Sequence, residues 1–408
     1  MNKKITMVGI FIMFLVITGC NRLQKESGII KEATDEKITI TMWDYLIEGS
    51  DTTELIKSYE NVYPNVKIDR KFVPFSDIKN KLIYAAAIGE MPDVLLIDDL
   101  LHQTLAAMGI LLDITDEVLD WGQSEVFSKE PWETCIYEEK IFGLPMGVHN
   151  LALFYNEDML KIAGVLPPEN WDELANAAEK LTTTDVVGFQ VTAVKNQQSI
   201  YTFMPFIWQS DSDIRRLNSK GTVEAIELWK NMLEKGYMPK EILMENTQTL
   251  LERFNDGKVA MMVNASWQVK LLNENAKINW GVVKLPRNQE EATSLGGENW
   301  AITSTSLNKE AAWDFIKFAQ EPQNLKPLLL RTGRLPARKD LIHEAEWQSD
   351  KNMKVFVDSL EISRSHNYGV NYPEITLYLQ DMLQQTLSGY KSPEEAVEEV
   401  YIKIKPLL

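Results

Sequence analysis

Segments with the period of a strand and segments with the period of a helix alternate from residue 37 to residue 97, and this alternation limits the fold more than any other feature. Over 37–43 apolar Ile38, Ile40 and Met42 alternate with Thr39 and Thr41, as in a strand whose two faces differ. A helical run at 51–62 with a cap near Asp51, a strand at 65–72 after Pro64, a helix at 76–88 and an apolar strand at 92–97 follow in order. Ser76 or Asp77 is the expected cap of the second helix and Gly89 its stop. Helices between strands supply the crossovers that parallel pairing needs, so a mostly parallel sheet covered by helices is predicted. Ligands of such sheets collect in the crevice beyond the strands' carboxyl ends. Trp43-Asp44-Tyr45 and Asp98-Asp99 sit at two such ends.

The chain of 408 residues is too long for one core, which stops growing near ~250–300 residues, so two lobes are expected. Two short strand-like pieces at 141–155, around Pro145, Gly147 and Asn150, mark where the chain can cross between them. Further helices are expected at 171–181 with Asn170 as cap, 222–235, 248–256, 309–320, 374–387, and 393–404 with Ser392 as cap. Strands are expected at 259–263, leading into Asn264-Ala265-Ser266-Trp267, and at 281–285.

Asp and Glu number 59 against 42 Lys and Arg, a balance that argues against nucleic acid, whose phosphates call for clustered positive charge. A small uncharged ligand fits better, and a tryptophan offers it a flat apolar face and an N–H donor, although core packing is the default for most of the 11 Trp. No phosphate loop, nucleophile elbow or dinucleotide fingerprint is present. Paired carboxylates of a glycosidase are defined in space, so a secreted glycoside-active enzyme stays as the lesser alternative. His102, His149, His343 and His366 lack metal-ligand spacing, and neither a metal nor a cofactor is expected.

Lys3 and Lys4 precede the apolar run 5–18 and then Gly19-Cys20, the layout of an export signal. As a helix the run would reach roughly 21 Å, short of a ~30 Å hydrocarbon core, which disfavours a membrane span. Ile17-Thr18-Gly19-Cys20 resembles a bacterial lipobox, which implies cleavage after 19, a diacylglycerol on Cys20, and a flexible tether over 20–36. Cys135 is then the one remaining cysteine, read as a small buried apolar residue.

Tyr63-Pro64-Asn65-Val66, the run from Gly89 to Val94, Gly109 to Asp116, Gly143-Leu144-Pro145, Phe154-Tyr155-Asn156, Gly164 with Pro168 through Leu174, Phe254 to Met262, Ser266-Trp267, Gly296 to Glu298 with Trp300 to Ile302, and Ala312 to Ala319 occur in one order. Together they resemble the family 1 extracellular solute-binding proteins, the lipoprotein receptors of bacterial sugar ABC transporters. The resemblance implies an α/β, two-lobed, periplasmic-binding-protein-like fold of type II, each lobe a mixed sheet flanked by helices and joined by hinge strands. It places the first lobe at 37–148 and 284–330 and the second at 149–283 and 331–408. It implies a monomeric receptor, lipid-anchored on the outer face of the cytoplasmic membrane, on the Gram-positive pattern, that hands a mono- or oligosaccharide to permease subunits. A glycerol phosphate or polyol is the alternative ligand. Family positions nominate Trp43, Asp44, Asp98, Asp99, His149, Asn150, Trp267, Gly297, Glu298, Trp300 and Arg334 for ligand contact, with Tyr155, Trp208 and Tyr368 as further aromatic candidates. One departure stands out: Trp208-Gln209 runs quickly to Asn218-Ser219, so a loop near the cleft is shorter than in relatives.

Overall fold

The structure, a computed structural model, describes residues 37–408 apart from 48 and 50. The expected export segment 1–19, the tether 20–36 and the lipidation site Cys20 lie outside the described residues. In chain order the strands are β1 (Ile38–Asp44), β2 (Val66–Phe72), β3 (Val94–Asp98), β4 (Ile136–Tyr137), β5 (Lys140–Ile141), β6 (Leu144–Asn156), β7 (Met261–Ala265), β8 (Trp280–Val283), β9 (Thr293–Ile302) and β10 (Ser363–Ser365). β4 and β5 form a small hairpin, and the other strands form one eight-stranded sheet ordered β2-β1-β3-β9-β6-β7, with β10 on β9 and β8 on β6.

β2, β1 and β3 are parallel neighbours, as the intervening helices Thr53–Val62 and Phe75–Ile88 require. β9 runs antiparallel to β3, and β6 antiparallel to β9, β7 and β8, so the sheet is mixed. Both faces are covered, which is why the central strands read as unbroken apolar runs. Val94 and Leu96 of β3 pack with Trp300, Ile302 and Phe315, whereas Leu95 and Ile97 face Trp43, Leu101 and Ala301. The same period two divides β6 and β7. Ala152, Phe154 and Met262 join the first of these clusters, while Leu151, Leu153, Met261 and Val263 meet the helices Trp171–Leu181, Gln197–Gln209, Lys220–Glu234, Tyr372–Leu387 and Pro393–Ile404.

The two pieces expected over 141–155 are one strand, β6, of 13 residues. Pro145 is accommodated because the register against β9 shifts between Pro145 and Gly147, a bulge that spares the missing donor. Residues 144–150 of β6 pair with β9, and 151–156 lie between β7 and β8. β9 is likewise shared, pairing with β3 through 298–302 and with β10 through 293–295. These two strands therefore run through both halves of the sheet.

Local chemistry sets the helix starts. Asn170 and Ser392 cap as expected, their side chains accepting from Glu173 N and Glu395 N. The helix expected from Ser76 begins at Phe75, because the Pro74 carbonyl already accepts the N–H groups of Asp77 and Ile78. Gly89 ends it at φ 74°. Cys135 is free and fully buried.

Candidate functional site

The first residues of five helices meet around one cavity of about 360 Å³: Phe75, Asp99 with Leu100, Gln197 with Gln198, Thr247, and Trp267. Tyr45 and Ile47 follow β1, His149 comes from β6, Gly296 and Glu298 from β9, and Arg334 from the turn after the helix Pro322–Thr332. Convergence beyond the strand ends is what α/β topology dictates, since each parallel strand there feeds a helix whose N-terminus faces the crevice. A second recess of about 190 Å³ shares Tyr45, Ile47, Trp267 and Arg334 with the first and adds Lys270, Leu271 and Arg331.

Glu298 and Arg334 form the electrostatic centre. Arg334 Nε lies 3.2 Å from both carboxylate oxygens and Nη2 lies 2.5 Å from Oε1, while Glu298 is 1% exposed. Burial alone would raise the Glu298 carboxyl, but the charge and hydrogen bonds of Arg334, helped by His149 and the Tyr45 hydroxyl, hold it below the usual carboxylate range. The Arg334 guanidinium also lies 5.5 Å from the Trp267 ring centroid, and His149 meets that ring edge-on at 4.7 Å. Burial lowers the His149 imidazole to about 4, so it is neutral at pH 7 and acts as a hydrogen-bonding group, with Nδ1 2.8 Å from Tyr201 Oη.

Asp98 caps the helix Asp99–Ala107 by accepting from Leu100 N at 3.1 Å. Burial pushes its carboxyl up to about 7, with Glu298 adding to the rise and the Leu100 N–H opposing it. Asp99 is held well above the ordinary value by burial and by the negative charges of Asp98 and Glu298. Both acids bind their proton more tightly folded than unfolded. For Asp98 that contribution is complete below about pH 4 and is lost as pH rises through about 7, and Asp99 acts in the same direction. The unliganded protein is expected to melt several degrees lower at pH 8 than at pH 5.5, and Asp98→Asn should flatten much of that slope, as read by calorimetry across the range. An equal slope in the variant would remove Asp98 as its source.

Six of the nominated residues, Asp98, Asp99, His149, Trp267, Glu298 and Arg334, come together at the cavity. Gly297 lies just behind its wall, where a Cβ would stand 2.5 Å from Gly147 O, and its N–H dipole opposes the rise of the Asp99 carboxyl. The other seven lie elsewhere, each for a local reason. Trp43 is buried beneath the ammonium groups of Lys71 and Lys81. Asp44 is fully buried, and Arg70, Thr52 Oγ1 and Leu46 N hydrogen-bond its carboxylate. Asn150 donates to Phe356 O and Ser363 Oγ. Tyr155 packs over Gly281. Trp208 donates to the Tyr368 hydroxyl, which itself donates to Asp213, closing that chain of partners. Trp300 is fully buried against Phe315.

Tyr45, Ile47, Phe75, Leu100, Gln197, Gln198, Tyr201, Thr247 and Gly296 were not legible as site residues. Tyr45 had a signal, following Asp44 at a recognised strand end. The glutamines lead a helix capped by Asn196, which accepts from Ser199 N. Gly333 supports the site from outside. It ends the helix Pro322–Thr332 at φ 68°, a Cβ on it would meet Trp267 Cα at 2.7 Å, and its carbonyl accepts from Ser266 Oγ at 3.2 Å. Gly333→Ala is expected to cost at least ~1 kcal/mol from the left-handed backbone alone and to displace Trp267. Its melting temperature and the tryptophan fluorescence of the folded variant would both report the change, and wild-type values for both would refute it.

Layered helices on a mixed sheet, two shared strands and a cleft at the strand ends make an α/β fold with a solute-sized cavity. Residues 54–355 match the model of the bacterial extracellular solute-binding proteins, and the chain belongs to that family. It is 23% identical over 389 residues to the galactooligosaccharide-binding protein of Bacillus subtilis (strain 168), with 92% of this chain and 90% of that protein covered. The fold is similar to an ABC transporter solute-binding protein from Thermotoga lettingae TMO bound with alpha-D-tagatose, at a TM-score of 0.83 and 22% identity, covering 91% of this chain and 99% of that one. An ABC substrate-binding protein from Listeria monocytogenes in complex with cycloalternan aligns at 0.82 and 22%, covering 91% and 99%. Among the described residues no helix is long and apolar enough to cross a membrane.

Proposed function

We propose that this chain is an extracytoplasmic receptor that captures a carbohydrate in the cleft and presents it to an ABC importer. The observation that carries the reading is the Trp267 ring at the wall of a cavity that also holds the carboxylates of Asp98, Asp99 and Glu298 and the guanidinium of Arg334. A pyranose has apolar C–H faces and a rim of hydroxyls, which call for an aromatic platform and charge-assisted partners respectively. Relatives that bind a galactooligosaccharide, tagatose and cycloalternan support the same class. A glycerol phosphate is the weaker reading, because the one guanidinium among the described residues of the cavity is already engaged by Glu298.

On this reading the lobes are 37–148 with 284–330 and 149–283 with 331–408, and β6 and β9 are the hinge strands. Contacts of 335–339 with Val148, Ser128 and Val126 favour moving the last boundary later, toward 345. Ligand touching both lobes favours the closed form that permease subunits recognise. Cys20 carries the lipid that holds a monomeric receptor on the outer face of a Gram-positive membrane. The role is binding without conversion.

The test is a thermal-shift screen of the purified full-length protein against mono- and oligosaccharides, polyols, glycerol phosphates and amino acids. A ligand at ~100 times its dissociation constant adds ~2.7 kcal/mol, a rise of a few degrees for a chain this large. A carbohydrate-specific rise with the sugar recovered intact is expected. A rise only with another solute overturns the ligand class, and chemical conversion of the hit overturns the receptor reading.

A further inference from the structure

Among the described residues the cavity wall carries three carboxylates, Asp98, Asp99 and Glu298, one guanidinium, Arg334, and no lysine. Arg334 is committed to Glu298, which leaves the two adjacent aspartates without a cationic partner there. Asp99 is 7% exposed, and its Oδ1 has no hydrogen-bond partner among the described residues. The N–H dipoles of Leu100 and Gly297 oppose the rise of the Asp99 carboxyl but bring no full charge. Other titratable neighbours add none either. Tyr45, Tyr201 and Tyr372 and the Cys135 thiol are kept neutral by burial, as are the imidazoles of His102, His149 and His366.

A buried carboxylate with a vacant oxygen asks for a donor, and two side by side ask for positive charge. A sugar hydroxyl supplies only the first; a protonated amine supplies both. Resting on the carbohydrate reading above, we propose that the physiological ligand is an amine-bearing sugar whose ammonium group docks on Asp99 Oδ1 beside Asp98, with a sugar ring against Trp267. Burial biases both carboxyls toward the protonated form in the empty cleft and an arriving cation favours the ionised form, so binding releases protons to solvent at neutral pH. In the neighbouring recess beyond Trp267 Lys270 is paired with Glu274 at 2.9 Å, but Arg331 also stands on its wall and disfavours the same charge there, which favours the ammonium lying on the aspartate side.

The proposal is tested by titration calorimetry of the full-length protein with matched pairs: glucosamine and glucose, galactosamine and galactose, mannosamine and mannose, and amine-bearing and neutral oligosaccharides of equal linkage and length. In at least one pair the amine should bind tenfold or more tighter than its neutral partner. Repeating that titration in buffers of different ionisation enthalpy should reveal proton release on binding. Asp99→Asn should erase the preference, and its melting temperature should stay closer to the wild type at pH 5.5 than at pH 8, because burial favours the protonated carboxyl that the amide resembles. Neutral sugars binding as tightly as their amine partners in every pair would overturn the inference and leave the carbohydrate reading standing. Binding of no sugar of either kind would overturn both.

Discussion

Trp267→Ala is expected to weaken carbohydrate binding by ~30- to 1000-fold. Trp267 lines both the main cavity and the recess beside it, so a ligand spanning the two must pass its ring. His149 meets the ring edge-on at 4.7 Å with an interplanar angle of 89°, and the Arg334 guanidinium lies 5.5 Å from its centroid. These contacts hold the platform in place before ligand arrives, so little conformational entropy is left to lose on binding. Truncating a tryptophan at the centre of a desolvated contact typically costs ~2–4 kcal/mol, which is ~30- to 1000-fold in affinity. Trp267→Phe, which keeps a smaller apolar face, should lose less. Calorimetric titration of both variants with the sugar found in the screen gives the answer. An alanine variant within threefold of wild type would mean that no sugar ring rests on Trp267.

Arg334→Met should be the most destabilising single change at the site, by ~3–5 kcal/mol at pH 7. Removing the guanidinium leaves Glu298, 1% exposed, as a buried carboxylate without its counter-charge. The charge of Arg334 and its hydrogen bonds are what hold the Glu298 pKa below its ordinary value, so in the variant burial would prevail and the carboxyl would take up a proton. The sign of the pH dependence follows. In the wild type the Glu298 contribution is present above the unfolded value near 4.3 and is lost as pH falls below it. In the variant the raised Glu298 pKa adds to the slope from Asp98 and Asp99, so the variant loses more stability than the wild type between pH 5 and pH 7. Glu298→Gln combined with Arg334→Met should recover a large part of the loss, because the double change leaves no buried charge, and the pair should couple by ~2 kcal/mol or more. Urea unfolding of the four proteins at both pH values measures this cycle. A single-variant loss under ~1 kcal/mol would show that solvent screens the pair.

How far these features could be read from residues alone differs from one to the next. The strand faces were legible in β1, where Ile38, Ile40 and Met42 alternate with Thr39 and Thr41, whereas β3 read only as an apolar run and the structure divides it, Val94 with Leu96 on one face and Leu95 with Ile97 on the other. Asn170 and Ser392 were legible as caps, since a side chain that satisfies an N–H three residues later acts within one turn. Asp98 and Asp99 were placed at the cleft because a strand end in an α/β sheet has few other destinations. β6 was harder. Pro145 and Gly147 are local signs of a break, and only the register shift against β9, a partner some 150 residues away in the chain, lets one strand pass through them.

The site divides along the same line. Asp44 and Asp98 both end strands and cannot be told apart by position, yet Asp44 is consumed by Arg70 reaching across from β2, a contact created by strand pairing. Glu298 and Trp300 share one face of β9, but Trp300 lies two residues further along, beneath the helix Lys309–Gln320, while Glu298 stands where that cover ends and Arg334 meets it. Sequence by itself determined the α/β class, the order of the elements, the family and the acids that could face a ligand, because periodicity, capping and motif order are local properties. The tertiary structure alone decided which aromatic ring faces the cleft and which is core, and which carboxylate already has its cation, because burial and ion pairing depend on residues that the chain brings together only after it folds.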